Sequence, residues 1–483
     1  MKKPMILTLL LAVSVVASAQ TLRLQSMGGM TLGIRDTQLS INLYDFGRNP
    51  AWLLRDEIQS WLEITPRLDD SWGSYRKKFD PQTFENYRLG FEGVQALGEK
   101  GTFRGYASYV YERRRDVYRA LKRVPYGGDA FFLTDTTTGN IRYNGPLVQF
   151  MYAYDLFDDL LIGVSGTYQI LDGLKDRYSR IKTICRNLEG TVGLAYQVTP
   201  ALSVGATFTP ASGQEGIEAK SDEVYSVEVF NFRGETYAFR QMGSSVDHKI
   251  KVNGESTSLQ AVWQADSSLV IGMRGEYGVD RTHVLVTRSA SMEREEGTAS
   301  LEHYAVDLQV QYVPDNDFSL GVLAQYSKNR EWSKYTTLDL LLWDWKTREF
   351  ALGIGASYSL VPSRWLLGAE YQYSGGKVDS SKYIDNKFRS ETFAVHTFRS
   401  GVEYQLFENA AARVGYAGRI SSFDVVSGGK DVVFHGITGG GTVWINKDIQ
   451  LDLLIEHGKA SPRNSGVSRT VLNAGAALRL WSR

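Results

Sequence analysis

The sequence has 483 residues with 54 basic and 54 acidic side chains, so its formal net charge is zero. This balance argues against a nucleic-acid-binding protein, which usually carries a basic excess, and against an acidic disordered chain. The single cysteine, Cys185, excludes a disulfide framework and a cysteine-based zinc site. The chain has many aromatic residues for a soluble enzyme, with 27 tyrosines and 10 tryptophans, but only 11 prolines.

The N-terminus predicts a secretory signal peptide over residues 1–19. Lys2 and Lys3 precede an apolar stretch, and Ala17-Ser18-Ala19 fits the rule of small residues around a cleavage site. The apolar stretch is too short to span a bilayer as a helix, and the alternative is a buried N-terminal helix. We find no later run of about 18 apolar residues that would form a membrane helix. The mature chain is therefore expected to leave the cytoplasm.

From about residue 59 onward, apolar and polar side chains alternate with a period of two. In the segment 304–312, one face carries tyrosine, valine and leucine, whereas the other carries Asp307 and two glutamines. Segments 365–373 and 449–456 alternate in the same way, with one apolar and one polar face. A β-strand places successive side chains on opposite faces, so this pattern predicts an all-β fold.

Strand length and aromatic placement favour a transmembrane barrel over a soluble β-sandwich. Each alternating segment runs about 10 to 14 residues, longer than ordinary soluble strands and sufficient for a tilted crossing of a bilayer. The apolar faces end in aromatic residues, for example Tyr304 and Tyr312. Such residues form the interfacial girdles of outer-membrane barrels. The predicted location is therefore the cell outer membrane.

The connections predict about 18 antiparallel strands, with 14 to 18 possible, in a single barrel over residues 59–483. Eight short turns alternate with nine long polar connections, which matches short periplasmic turns and long extracellular loops. The longest connections are predicted at 115–145 and 211–255. The last strand is predicted over Thr470 to Trp481, and Gly105, Gly163, Gly205, Gly353 and Gly401 are interpreted as bends or close packing in a curved sheet.

The signal peptide and the series of hairpins resemble outer-membrane β-barrel proteins of Bacteroidota, including a family without assigned function. Asn49-Pro50-Ala51, ahead of the first strand, resembles the Asn-Pro-Ala element of the long-chain fatty-acid transporter family. In that family the element belongs to a plug that precedes a fourteen-strand barrel. The resemblance implies that residues 20–58 form a lumen plug or a periplasmic cap, with a plain turn at Pro50 as the alternative.

The polar faces predict a barrel interior lined by charges of both signs. Two interpretations remain open: cross-strand ion pairs that brace the wall, and a pore lining that selects solutes. A ring of one sign, which would indicate strong ion selectivity, is not seen. The candidate lining residues are Glu92, Arg104, Arg274, Glu276, Asp307, Glu370, Arg399, Glu403, Arg413, Arg419, Asp452, Glu456 and Arg479.

Signals of catalysis or metal binding are weak. No two of the six histidines share close metal-ligand spacing, and no cofactor motif is present. His396 and Ser400 share one strand face and could form a hydrolase dyad, but a strand histidine near the interface is the simpler interpretation. Asp158 and Asp159 could bind calcium, but aspartate is common in tight turns. We therefore expect no enzyme activity, cofactor or metal.

Three functions remain open: a channel or uptake component for small solutes, a non-transporting accessory subunit of a larger envelope complex, and a barrel enzyme. Expected partners are outer-membrane lipid, lipopolysaccharide, the outer-membrane assembly machinery and an envelope protein, with no nucleic acid. Basic side chains of the first long loop could meet lipopolysaccharide phosphates: Arg115, Arg119, Lys122 and Arg123. Trp332, Trp343 and Trp345 could contact a ligand or a partner protein, or cap the barrel.

Overall fold

A computed structural model describes residues 22–33, 48–56, 59–125, 129–157, 159–177, 180–220, 226–287, 293–361, 364–423, 431–463 and 465–482. The predicted signal peptide lies outside these ranges. Within them, each helix is too short or too polar to cross a membrane.

The described residues contain short helical turns and long strands. The helical turns are α1 (Leu22–Ser26), the 3-10 helix Pro50–Trp52, α2 (Leu53–Asp56) and the 3-10 helix Thr336–Leu338. The strands are β1 (Trp61–Gly73), β2 (Thr83–Leu97), β3 (Gly101–Ala120), β4 (Phe131–Phe157), β5 (Leu160–Lys175), β6 (Lys182–Thr199), β7 (Leu202–Lys220), β8 (Val227–Arg233), β9 (Tyr237–Gly243), β10 (Ser245–Gln264), β11 (Leu269–Thr287), β12 (Glu293–Tyr312), β13 (Phe318–Tyr335), β14 (Leu340–Val361), β15 (Trp365–Lys382), β16 (Lys387–Phe407), β17 (Ala410–Ser421), β18 (Val432–Asn446), β19 (Ile449–Pro462) and β20 (Arg469–Trp481).

Eighteen of these strands form one closed antiparallel barrel. Neighbours along the chain pair with each other, β7 pairs with β10, and β1 pairs with β20 to close the ring. Closure removes the free sheet edges, whose unpaired backbone groups cannot be satisfied in hydrocarbon. The predicted count of 18 is confirmed, and the fourteen strands of the long-chain fatty-acid transporter family do not apply. Strands β8 and β9 form a separate hairpin between β7 and β10.

The apolar face of each strand lies on the outside of the barrel and is not covered by a second sheet. On β12, Tyr304, Val306 and Leu308 are 46%, 45% and 39% exposed. Alternate residues such as Asp307 face the other side of the wall. This arrangement excludes the β-sandwich alternative, in which the apolar faces would be buried against each other.

The predicted lengths of the long connections were wrong. Strand β4 begins at Phe131 and β10 begins at Ser245, so both extend far into segments that we assigned to loops. Backbone pairing continues above the apolar band because it satisfies the N–H and C=O groups in water as well as in lipid. The alternation fades there because neither face of the sheet meets lipid, and the sequence pattern therefore resembles a loop.

Candidate functional site in the barrel lumen

Most of the charged residues predicted to line the interior form ion pairs on the polar face of the wall. Several pairs join residues that stand directly opposite each other on neighbouring strands, as expected for cross-strand bracing. These pairs are Arg274–Asp307 at 3.8 Å, Glu403–Arg413 at 2.6 Å, Glu63–Arg479 at 2.7 Å, and Glu370–Arg399.

The remaining candidates also have contacts within the wall. Arg104 lies 2.7 Å from Glu92, Arg274 also pairs with Glu276, and Arg413 lies 3.6 Å from Asp452. Glu456 accepts a hydrogen bond from Asn473 at 2.8 Å, and the Arg419 guanidinium lies 5.7 Å from the Phe434 ring. The bracing interpretation accounts for these contacts. A solute path along the same side chains remains a prediction.

Residues 22–33 contact the polar face of the wall along many strands. Arg23 donates to Glu403 through two hydrogen bonds, at 2.8 and 2.7 Å. Glu370 accepts hydrogen bonds from the backbone N–H groups of Thr31 and Leu32, at 2.6 and 2.8 Å. Two of the predicted lining carboxylates, Glu403 and Glu370, therefore hold this segment as well as bracing the wall.

Residues 48–56 contact the wall on the other side, at strands β4 to β7 and β10. The Asn49 side chain caps the 3-10 helix by accepting from the Ala51 N–H at 3.0 Å, and it donates to the Leu194 carbonyl at 2.8 Å. Asn49 and Trp52 both donate to Gln260 Oε1, at 3.1 and 2.9 Å. The predicted plug residues Asn49, Pro50 and Ala51 thus sit against the wall in a built contact, not in an exposed turn.

Both N-terminal segments pack directly against glycines of the wall, where a side chain would collide with them. A Cβ atom added to Gly193 would lie 2.0 Å from Asn49 Oδ1, and one added to Gly163 would lie 2.3 Å from the Ala51 nitrogen. A Cβ atom added to Gly401 would lie 2.6 Å from the Met27 Cβ. Gly163 and Gly401 are predicted to allow bends or close packing in the curved sheet. The structure shows close packing at both positions, against a second chain segment that no local sequence signal revealed.

The N-terminal segments lie near the ends of the strands that are joined by short turns. Gly163 and Gly205 are each three residues from the start of their strands, and Gly401 is six residues from the end of β16. Arg55 donates to Ser203 at 2.8 Å and to Gln197 at 2.7 Å, close to the turn between β6 and β7. By the usual orientation of such barrels, this is the periplasmic half.

A layer of aromatic rings crosses the opposite half of the barrel. The Phe79 ring lies 6.3 Å from Phe132, Phe132 lies 5.7 Å from Trp343, and Trp343 lies 5.4 Å from Trp345, measured between ring centroids. Strands β4 and β14 are nearly opposite each other in the ring, so Phe132 and Trp343 can meet only across the lumen. We call Phe79, residues 129–133 and the β8–β9 hairpin the cap.

The tip of the β8–β9 hairpin is held by the turn between β15 and β16. Asp385 accepts hydrogen bonds from the backbone N–H groups of Glu235 and Thr236, both at 2.9 Å, and from Trp343 Nε1 at 3.2 Å. Glu235 pairs with Lys387 at 2.6 Å and also with Lys382. Next to the tip, the hairpin pairs with β4 through Phe230–Arg233, and its other end joins β7 and β10. The hairpin therefore bridges the mouth from one wall to another.

Lys77, in the connection between β1 and β2, is buried and only 4% exposed. Burial lowers the pKa of Lys77 to about 8, Asp80 acts to raise it, and the positive charge of Lys382 lowers it further. The nearness of Lys382, on β15, shows that this connection also reaches toward the cap.

The expected roles of the loop cations and tryptophans need correction. Lys122 is buried and pairs with Asp129 at 2.6 Å, and Arg123 pairs with Glu112 at 3.0 Å, so neither faces lipopolysaccharide. Trp343 and Trp345 lie on β14 and are buried under the cap, because the strand extends further than predicted. Of the uses considered for them, capping the barrel fits this position.

The weak catalytic and metal signals find no further support. His396 is exposed on the outer face and shares a hydrogen bond of 2.8 Å with the Tyr371 hydroxyl. Asp158 lies outside the described residues. Within the described ranges, no three His, Cys, Asp or Glu side chains are grouped in a way that could hold a metal ion.

Solved structures similar to this chain include a transporter, a channel and a FadL homologue, all of low sequence identity. The toluene transporter TbuX of Ralstonia pickettii is 12% identical, with a TM-score of 0.36, over 95% of this chain and 97% of that chain. The CymD monoaromatic hydrocarbon channel is 11% identical, with a TM-score of 0.37 and the same coverage. A FadL homologue of Pseudomonas aeruginosa is 12% identical, with a TM-score of 0.38, over 91% and 95%. TM-scores below 0.5 mean that the barrels superpose poorly, so these structures carry no information about the lumen described above.

Two family models match the sequence, and no curated protein does. The model of a putative outer membrane beta-barrel porin, MtrB/PioB, matches residues 253–428. The model of a family of unknown function, DUF6850, matches residues 50–339, which is more than half of the chain. The assignment to Bacteroidota stays a prediction. The chain is a porin-like β-barrel of the cell outer membrane, and it belongs to the family of unknown function DUF6850.

Proposed function

We propose that the protein is a gated uptake channel for small solutes. In this proposal, residues 22–33 and 48–56 act as a plug in the periplasmic half and the cap closes the extracellular half. The observation that carries the proposal is that both obstructions are held by polar contacts to the wall: Arg23 by Glu403 and the hairpin tip by Asp385. Such polar contacts can be exchanged for water, and opening must also separate the apolar contacts of Trp52 in the plug and of Phe131 in the cap.

The mixed charge of the wall supports passage of polar or neutral small solutes. Carboxylates and guanidiniums alternate along the inner face, as in the pairs Arg104–Glu92 and Arg399–Glu370. A wall of this kind offers donors and acceptors to a solute without a strong preference for one sign of charge. The proposal therefore names polar, small solutes as a class and no ion selectivity.

An accessory role without transport is the second candidate, and the covered mouth is the observation that favours it. The cap buries Trp343 and Trp345 and bridges opposite walls, so the barrel could serve as a closed scaffold within an envelope complex. The two functions differ in one outcome: a scaffold conducts nothing even after its internal contacts are weakened.

The test uses the full chain in planar bilayers. The release variant Arg23→Gln/Glu235→Gln weakens the plug and the cap together. The matched control Arg281→Gln/Glu255→Gln removes an arginine and a glutamate that pair with each other on the outer face and hold neither. We expect small conductance from the wild type and the control, and large open steps from the release variant. A release variant that folds, judged by its unheated mobility on SDS gels, but neither conducts nor passes sugars into liposomes would refute the channel and favour the scaffold.

A further inference from the structure

Three basic residues stand side by side on the outer face of strands β13, β14 and β15. Lys328 is directly opposite Arg348, and Arg348 is directly opposite Lys377. Residues in such register have Cβ atoms about 5 Å apart, so three positive charges form one short row across the wall. All three side chains are exposed. We call these residues the basic row.

The basic row lies immediately above the aromatic girdle on the extracellular side. Tyr326 and Phe350, also directly opposite each other, are 48% and 43% exposed and precede the row by two residues on the outer face. Aromatic side chains mark the level of the lipid head groups. The row lies toward the end of β13 that is opposite the short turn between β12 and β13, so the usual orientation of such barrels places it at the outer leaflet.

The protein neutralises this row only in part, through one carboxylate, Asp379, which interacts with both Lys377 and Arg348. Among the described residues, neither Lys328 nor Arg348 forms an ion pair, whereas Lys377 pairs with Asp379 at 3.1 Å. The next row carries Arg330 and Lys346, which lie 3.3 and 3.8 Å from the same carboxylate, Asp344. Like charges directly opposite each other destabilise a sheet, and the three basic residues share one acidic partner, so the excess positive charge favours an anion from outside the chain.

Some other outer cations above the girdle have a partner of their own. Arg281 lies 3.0 Å from Glu255 on β10 and β11, and Arg115 lies 2.5 Å from Glu85 on β2 and β3. The basic row differs from these positions because its three basic residues are neighbours and share one acidic partner, Asp379.

We propose that Lys328, Arg348 and Lys377 bind the phosphate groups of lipid A, the membrane anchor of lipopolysaccharide in the outer leaflet. Phosphate oxygens suit both ammonium and guanidinium donors, and Arg348 at the centre of the row can bind two oxygens at once. The acyl chains of the same molecule would lie against the apolar band below Tyr326 and Phe350. The site uses other residues than the loop cations Arg115, Arg119, Lys122 and Arg123, and it does not depend on solute passage.

The test titrates the purified full chain in detergent with lipid A that carries two phosphates and measures the bound fraction by native mass spectrometry. The variant Lys328→Gln/Arg348→Gln/Lys377→Gln should lower the apparent affinity about tenfold or more, since each basic residue near an anionic surface contributes substantially. The matched control Arg281→Gln removes an outer cation that already has a partner, and it should bind as the wild type does.

Two further probes identify the source of the phosphate. Lipid A without phosphates should bind equally weakly to the wild type and the triple variant, and inorganic pyrophosphate should not displace lipid A at equal concentration. Undiminished binding by the triple variant, equal binding of the dephosphorylated lipid to the wild type, or displacement by pyrophosphate would each overturn the proposal. If the triple variant fails to fold, Arg348→Gln alone should weaken binding about threefold, and no loss would again count against the site.

Discussion

Arg23 donates to both carboxylate oxygens of Glu403, through Nε at 2.8 Å and Nη2 at 2.7 Å. On its other side Glu403 faces Arg413, whose Nε lies 2.6 Å away. One wall carboxylate therefore serves two guanidiniums, one from the wall and one from the N-terminal segment. Because the geometry is bidentate, this contact is stronger than an ordinary surface ion pair.

Neutralising Glu403 should loosen residues 22–33. Glu403→Gln leaves two arginines without their shared counter-charge and should cost about 2–4 kcal/mol of the seating free energy. In a Met30→Cys background, where position 30 is fully buried, maleimide labelling should accelerate at least about tenfold. Glu456→Gln in the same background is the control and should leave the labelling rate unchanged. Equal rates in the two variants would mean that Glu403 does not hold the segment.

A methyl group at Gly193 should displace residues 48–56. Its Cβ atom would lie 2.0 Å from Asn49 Oδ1 and 2.9 Å from Pro50 Cδ, and such overpacking costs about 1–3 kcal/mol. Trypsin should then cleave faster after Arg55, which the wild type protects through Ser203 and Gln197. Gly275→Ala is the matched control, because an added Cβ atom there meets nothing within 4 Å. Cleavage at the wild-type rate in Gly193→Ala would contradict the close packing of residues 48–56 against Gly193.

Removing the charge of Asp385 should release the β8–β9 hairpin. Asp385 accepts hydrogen bonds from Glu235, Thr236 and Trp343. The amide of an asparagine at this position can accept only some of these bonds, so we expect the hairpin tip to lose about 2–3 kcal/mol of stability. Hydrogen exchange at the β8–β9 amides should accelerate about tenfold or more in Asp385→Asn. Asp379→Asn, at an outer position of β15, should show wild-type exchange. If both variants exchange alike, the hairpin tip does not depend on Asp385.

Lys77 should make stability rise with pH in the alkaline range. Its folded pKa of about 8 lies below the ordinary value of 10.5, so the unfolded chain binds more protons between these two pH values. The cost of burying a charged lysine is therefore fully present below pH 8 and disappears as pH approaches 10.5. The unfolding temperature of the wild type should therefore rise relative to that of Lys77→Met between pH 8 and pH 10.5. A constant difference between the two proteins would show that Lys77 does not titrate in this range.

The barrel, the count of 18 strands and the outer-membrane location follow from the sequence alone. A period-two pattern is local, because the alternation within one strand indicates which of its side chains face lipid, as for Tyr304, Val306 and Leu308. Turn residues between the strands indicate where each strand ends and the next one begins. Both signals are read within about a dozen residues, so neither requires knowledge of distant contacts.

What the inward-facing side chains contact follows only from the three-dimensional structure. Glu403 and Glu370 were recognised as interior charges, but their bonds to Arg23, Thr31 and Leu32 join residues more than 300 positions apart. Gly193 and Gly401 seat a second segment, and Phe132 meets Trp343 across the lumen. A polar residue on the inner face shows the same alternation whether it meets water or another part of the chain. What each inward side chain contacts therefore depends on how the ring closes.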